Sequence, residues 1–164
     1  MKKLLLLRHA KSSWDDAGLA DFDRPLNGRG RKAAPLMGNF MREKQLSPDL
    51  VISSPAARAR ETTALVLEAA RLETELRYDQ RIYEATTGQL LAVINGVEDD
   101  KQEVMLVGHN PGFENLLEHL TGESLRVPTA ALARIALGAD SWTEAVARGG
   151  RLEWLVKPKE LAKD

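Results

Sequence analysis

Apolar residues in this chain fall into two patterns: short continuous runs and longer stretches at helical spacing. The first run, Leu4–Leu7, is four consecutive leucines that stop at Arg8-His9. A run without polar interruption predicts a strand covered on both faces, as in the middle of a parallel sheet. Asp15–Pro25 is polar, with Gly18 and Pro25, and reads as a surface loop. Asn27 reads as the N-cap of a helix whose inner stripe is Ala33, Leu36, Met37, Phe40 and Met41. Pro35 is expected to bend that helix or delay its start. Asp49–Ser53 predicts a second strand, and Pro55 opens a helix over 56–72 that carries Arg58 and Arg60 in its first turns.

Further along, Arg77–Tyr83 predicts a third strand, 84–88 a loop and 89–97 a short helix. Glu103–Val107 is a strongly apolar strand that runs into Gly108-His109-Asn110-Pro111-Gly112. A helix over 113–120 is stopped by Gly122. Ala131–Leu137 and Arg151–Lys157 read as strands that pair antiparallel at a sheet edge, Leu152, Trp154 and Val156 alternating with polar neighbours. The alternation of strands and helices predicts an α/β fold: a three-layer α/β/α sandwich with a mostly parallel central sheet and an antiparallel edge strand. The 164 residues suit one domain spanning 1–164.

Charge and composition narrow the function classes. A net charge of −1 provides no global field for nucleic acid or an anionic membrane, so neither is expected as a partner and any anion site must be local. The chain has no cysteine, which excludes disulfides, thiolate catalysis and cysteine-ligated zinc. The apolar part of the N-terminal MKKLLLL is too short for a signal sequence, so a cytoplasmic location is expected.

The candidate chemistry lies at strand ends. Arg8-His9, Ser53-Ser54 with Arg58 one turn into the next helix, and Gly108-His109-Asn110 each follow an expected parallel strand, so they should converge on one edge of the sheet. Two guanidinium forks, two imidazoles and helix N-termini predict a phosphate-sized anion site. A neutral His9 held in one tautomer could attack phosphorus, with Arg8, Arg58 and His109 neutralising charge on the phosphoryl oxygens. Glu84, also after a strand, is the candidate proton donor to the leaving group. Ser12 and Asn110 are further candidate donors to substrate. Two histidines could instead ligate a metal, but no HExxH or carboxylate–histidine cluster is present and the neighbouring arginines would repel a cation, so no metal and no cofactor is expected. No Walker A, GxGxxG or GxSxG motif occurs.

These residues also carry a family resemblance. RHAKSSWD at Arg8–Asp15 resembles the RHG-type signature of the histidine phosphatase superfamily, which includes the cofactor-dependent phosphoglycerate mutases. LNGRGRKAA at Leu26–Ala34, SSPAARARET at Ser53–Thr62 and VGHNP at Val107–Pro111 resemble three further segments of that superfamily, in the same order. The short chain, the RHAKSSW form and VGHNPGFE look most like SixA-type phosphohistidine phosphatases. The resemblance implies a phosphoglycerate mutase-like fold, His9 as the phosphorylated nucleophile, and Arg8, Arg58 and His109 as holders of the phosphoryl group. It places Glu84 where many members keep their acid, which SixA-type proteins can lack. Ala10 replaces the usual glycine. Asp15 stands where the mutases have a phosphate-contacting asparagine and is expected either to point away from substrate or to bind a cationic part of a partner.

The expected function is a metal-independent phosphatase acting on a phosphorylated protein, phosphohistidine first. A small-molecule phosphatase for a sugar or nucleotide phosphate ester and a non-catalytic phosphoryl-binding module remain open. The short segments between motifs predict a shallow, open pocket. His119 reads as a surface or packing residue, Trp142 and Trp154 as packing, and Trp14 and Lys11 as pocket rim or surface.

Overall fold

The computed structural model describes residues 1–162. The chain runs β1 (Lys2–Arg8), α1 (Gly28–Glu43), β2 (Leu50–Ser53), α2 (Ala57–Ala70), β3 (Glu75–Tyr78), α3 (Thr87–Asn95), β4 (Glu103–Gly108), α4 (Gly112–Thr121), β5 (Leu132–Leu137), α5 (Trp142–Arg148), β6 (Gly150–Val156) and α6 (Pro158–Leu161), with 3-10 turns at Asp21–Asp23 and Gln80–Ile82. The six strands form one sheet in the order β3-β2-β4-β1-β5-β6. β1, β2, β3 and β4 are mutually parallel, whereas β5 pairs antiparallel with both β1 and β6. The antiparallel strand is therefore one place in from the edge, and β6 lies outermost.

The four leucines explain why β1 is central. Leu4 and Leu6 join a core shared with α3, α4 and α5, while Leu5 and Leu7 join a second core against α1 and α2. All four are fully buried. The two-residue period of a strand thus divides one apolar run between two helix layers. Burial of each such side chain stabilises the fold by about 1.5–3 kcal/mol.

The helix ends follow local chemistry. The Asn27 side chain accepts from Gly30 N–H at 2.8 Å and starts α1, which then runs through Pro35 to Glu43. Gly30 lets the helix start press on the loop after β1, since a Cβ there would lie 2.1 Å from the Lys11 carbonyl oxygen. In α3 a capping box between Thr86 and Gln89 starts the helix at Thr87, ahead of the expected position.

Two expectations are corrected. The strand predicted over 77–83 is Glu75–Tyr78; the Asp79 carboxylate caps Arg81 N–H and turns the chain into the 3-10 turn. The sequence reading contained no counterpart of α5, which begins at a Ser141 cap on Glu144 N–H and buries Trp142. No helix among the described residues is long and apolar enough to cross a membrane.

Candidate active site

Strand register assembles the site. Arg8 at the end of β1 lies opposite Gly108 at the end of β4, and Ser53 at the end of β2 lies opposite Val107. The residues after these strands are therefore His9 and His109, opposite each other, and Ser54, one position back at the level of Gly108. Backbone bonds continue the ladder beyond the strands, from His9 N–H to Gly108 O at 3.0 Å and from Ser54 N–H to Val107 O at 2.9 Å. The two imidazoles consequently stand with ring centroids 5.1 Å apart. Both are buried, at 6% and 8% exposure.

Hydrogen bonding sets the proton positions. His9 Nδ1 lies 2.7 Å from the Ala10 carbonyl oxygen. A carbonyl only accepts, so Nδ1 carries the proton and the neutral ring keeps its lone pair on Nε2. Ala10 is itself fixed, its N–H donating to Thr62 Oγ1 at 2.9 Å. His109 Nε2 lies 2.8 Å from Ser54 Oγ, which accepts from Ala56 N–H at 3.2 Å. The Ser54 hydroxyl proton is free for His109 Nε2, which puts the His109 proton on Nδ1. That Nδ1 is buried and has no protein partner.

Both rings are held neutral. Burial is the main cause for His9, reinforced by Arg58, Arg8 and Arg24 against the opposing Ala10 bond; it titrates at about 4. His109 is lowered to about 3, again chiefly by burial and then by His9 and the arginines.

Three arginines surround the rings. Arg8 donates from a terminal nitrogen to Val127 O at 3.1 Å, while its Nε is buried without a partner. Burial depresses its basicity, partly offset by Glu114. Arg58, in the first turn of α2, donates to Asp21 O at 2.7 Å and to Asp21 Oδ2 at 3.0 Å. Arg24 donates to Asp21 Oδ1 at 2.9 Å, Ser13 O at 3.0 Å and Ser12 Oγ at 2.6 Å. The exposed Trp14 ring covers the Arg24 guanidinium at 3.2 Å. The Tyr83 hydroxyl donates to Asp21 Oδ2 at 2.6 Å. This bond, with the two arginines, holds the Asp21 carboxyl well below the usual carboxylate range.

Two adjoining cavities share Arg58, His109 and Asn110. One, of about 300 Å³, is lined by Arg8, His9, Ser12, Trp14 and Arg24. The other, of about 420 Å³, is lined by Asp21, Tyr83, Glu84 and the Ala85–Gly112 rim. Arg8, His9, Arg58 and His109 thus meet as the sequence reading expects. Glu84 reaches the second cavity on exposed backbone with φ of 53°. Ser12 lines the first cavity with its hydroxyl on Arg24. Asn110 lines both, its amide donating to Val127 O at 2.8 Å. Asp15 is exposed and lines neither cavity. Lys11 and Trp14 are rim residues, and His119 is an exposed residue of α4.

The sequence reading missed Asp21, Arg24 and Tyr83. The Asp21/Arg24 spacing of three residues, in a loop otherwise lacking pattern, was the available signal. Among the described residues no group of three or more His, Asp or Glu is placed to hold a metal ion.

A profile of the histidine phosphatase superfamily (branch 1) matches residues 4–93. An uncharacterized chloroplastic protein of Arabidopsis thaliana is 33% identical over 170 positions, covering 96% of this chain and 78% of its own. The crystal structure of a candidate phosphohistidine phosphatase SixA from Agrobacterium tumefaciens superposes with a TM-score of 0.83 at 34% identity, over 96% of this chain and 98% of that one. The tungstate complex of the protein histidine phosphatase SixA shares the fold, with a TM-score of 0.85 at 23% identity over 98% and 99% of the two chains. Profile, fold and the four converging motifs agree: the chain belongs to the histidine phosphatase superfamily and is a phosphatase-class hydrolase.

Proposed function

We propose that the chain removes phosphoryl groups through a phosphohistidine on His9, with phosphohistidine side chains of proteins as its substrates. One observation carries the reading. The His9 Nδ1–H bond to Ala10 O directs a neutral Nε2 lone pair into a cleft where Arg8 Nε and His109 Nδ1 are buried donors without protein partners. Buried donors of this kind require an acceptor, and a phosphoryl group supplies several oxygens.

In the first step His9 Nε2 forms a bond to phosphorus as the bond to the leaving nitrogen or oxygen breaks, and the leaving atom takes a proton. Water then attacks phosphorus, releases inorganic phosphate and returns His9 to neutrality. Arg8, Arg58 and His109 stabilise the equatorial oxygens in both steps. Ser12 and Asn110 complete the cavity lining, and Glu84 is the donor for oxygen leaving groups. Asp21 is occupied by two arginines and a tyrosine and held ionised, so it is not that donor. The three guanidiniums disfavour a metal in the cleft, and a chelator is expected to leave turnover unchanged.

The phosphohistidine preference is supported by the 34% identical Agrobacterium relative. The cavity sizes favour a second reading, a small phosphate ester, because pockets of this volume suit metabolites. Turnover of phosphohistidine peptides, a metabolite panel and p-nitrophenyl phosphate separates the two. His9→Ala is expected to abolish turnover and the acid-labile phosphoenzyme; full activity in that variant rejects the proposal.

A further inference from the structure

A basic pocket adjoins the phosphoryl cleft. About 450 Å³ in volume, it is lined by Lys11, Arg29, Lys157 and Lys159 around a floor that includes Pro128 and Pro158. Its cations come from three places in the chain: the loop after β1, the first turn of α1 and the β6–α6 junction. Lys11 and Thr129 line the phosphoryl cleft as well, so the two spaces are adjacent.

Four cations line this one concavity; elsewhere, among the described residues, some cations are paired and others, such as Arg31, Arg60 and Arg71, are not. Lys3, Arg77, Arg81, Lys101 and Arg134 each pair with a carboxylate. Among the described residues none of the four pocket cations does. The neighbouring carboxylate of Glu160 accepts from Lys157 N–H at 3.1 Å and forms no ion pair with the pocket cations. Arg29 also sits at the positive end of the α1 dipole. Four cations with no carboxylate partner among the described residues line one pocket and repel one another, and the chain as a whole carries a net charge of −1. This local excess favours an anionic occupant.

We infer that this pocket binds carboxylate side chains that flank the phosphorylated residue of a protein substrate, an inference that rests on the phosphohistidine reading above. The proline floor and lysine stems suit the apolar body of a peptide, and the cations suit Asp or Glu. With Lys11 and Thr129 on the rim of both spaces, one segment can reach across them while its phosphoryl group faces His9.

The test uses Arg29→Ala/Lys159→Ala, since both residues are exposed and outside the catalytic cleft. Two phosphohistidine peptides differ only in having glutamate or glutamine flanks. Wild-type kcat/KM should favour the glutamate peptide by roughly three- to tenfold at low salt, as expected for two or more exposed charge contacts. The preference should shrink as salt rises. The double variant should lose it, Arg29→Lys/Lys159→Arg should keep it, and p-nitrophenyl phosphate turnover should stay level throughout. A wild-type protein without preference, or a double variant that retains it, overturns the inference. If neither phosphopeptide is hydrolysed, the phosphohistidine reading fails on its own. Fluorescence anisotropy with a labelled, unphosphorylated glutamate peptide then decides the pocket: binding lost in the double variant upholds it, and equal binding overturns it.

Discussion

The state of the His9 ring can be tested by titration. An ordinary histidine titrates near 6.5, and at pH 5.5 only about one ring in eleven would be neutral. Burial and the surrounding arginines lower His9 to about 4. At pH 5.5 about thirty neutral rings then exist for each protonated one. The proposed nucleophile of the free protein therefore stays available about two pH units lower than an exposed imidazole would. The sign for stability follows from linkage. A histidine with a depressed folded pKa takes up its proton more readily when unfolded, so stability is full above about 6.5 and declines as pH falls from 6.5 to 4. The gap corresponds to about 3 kcal/mol for His9 alone, with little solvent discount because the ring is buried. His109 acts in the same direction, but its cost does not simply add, because each ring raises the cost of protonating the other. Ring carbon resonances followed from pH 8 to 4 in the free protein should show two of the three histidines unchanged down to pH 5. In parallel, kcat/KM corrected for substrate ionisation should hold level from pH 7.5 to 5.5. A His9 midpoint at 6 or above, or a tenfold loss of corrected kcat/KM at pH 5.5, refutes the reasoning.

Asp21→Ala removes the shared partner of Arg24 and Arg58, both 7% exposed. Unfolding by urea should show a loss of about 1–3 kcal/mol, less than for a fully buried pair because Asp21 itself is half-exposed, with kcat/KM falling as the guanidiniums lose their anchor. Ser54→Ala leaves Ala56 N–H and His109 Nε2 without a partner, so a stability loss of about 1–3 kcal/mol is expected. Turnover should fall too, because the His109 proton is no longer directed to Nδ1. Glu84→Gln should slow alkyl phosphates by roughly a hundredfold or more while barely touching p-nitrophenyl phosphate or phosphoramidates, whose leaving groups need less protonation. Equal slowing across these substrates removes Glu84 as the donor.

The legible features are those encoded by local pattern and sheet register. Leu4–Leu7 marks the central strand, the apolar run Val104–Val107 marks its neighbour, and parallel pairing does the rest: His9 and His109 must then meet. Asn27 announces α1 through capping chemistry, whereas Pro55, expected to open α2, lies outside it: the helix is capped at Ala56 and begins at Ala57. Asp21 and Tyr83 were not legible because the bonds that join Asp21 to Tyr83 and to Arg58 span 62 and 37 residues, and the local Asp21–Arg24 pair sits in a loop whose pattern does not single it out. That loop has no periodicity, and its conformation is set by those long-range bonds. The missed helix α5 had a local signal in Ser141 and Glu144, but it is only two turns long and its apolar stripe is too short to show helical spacing. The shifted β3 reflects a strand with exposed residues on both faces, where hydrophobic pattern contains little information.

Compensation within the cleft is uneven, and the unevenness has a direction. A buried guanidinium costs several kcal/mol unless it is paired. Asp21 meets that cost for two arginines at once, with Oδ1 on Arg24 and Oδ2 on Arg58. Arg8 has only the Val127 carbonyl and the more distant Glu114, which is itself engaged with Val127 N–H at 2.7 Å. Arg8 is thus the least compensated cation, as its depressed basicity and orphaned Nε both indicate. It is also the residue bonded directly to His9. Under the proposed mechanism an entering phosphoryl dianion gains most where positive charge is least satisfied, which is at Arg8, next to the proposed nucleophile His9.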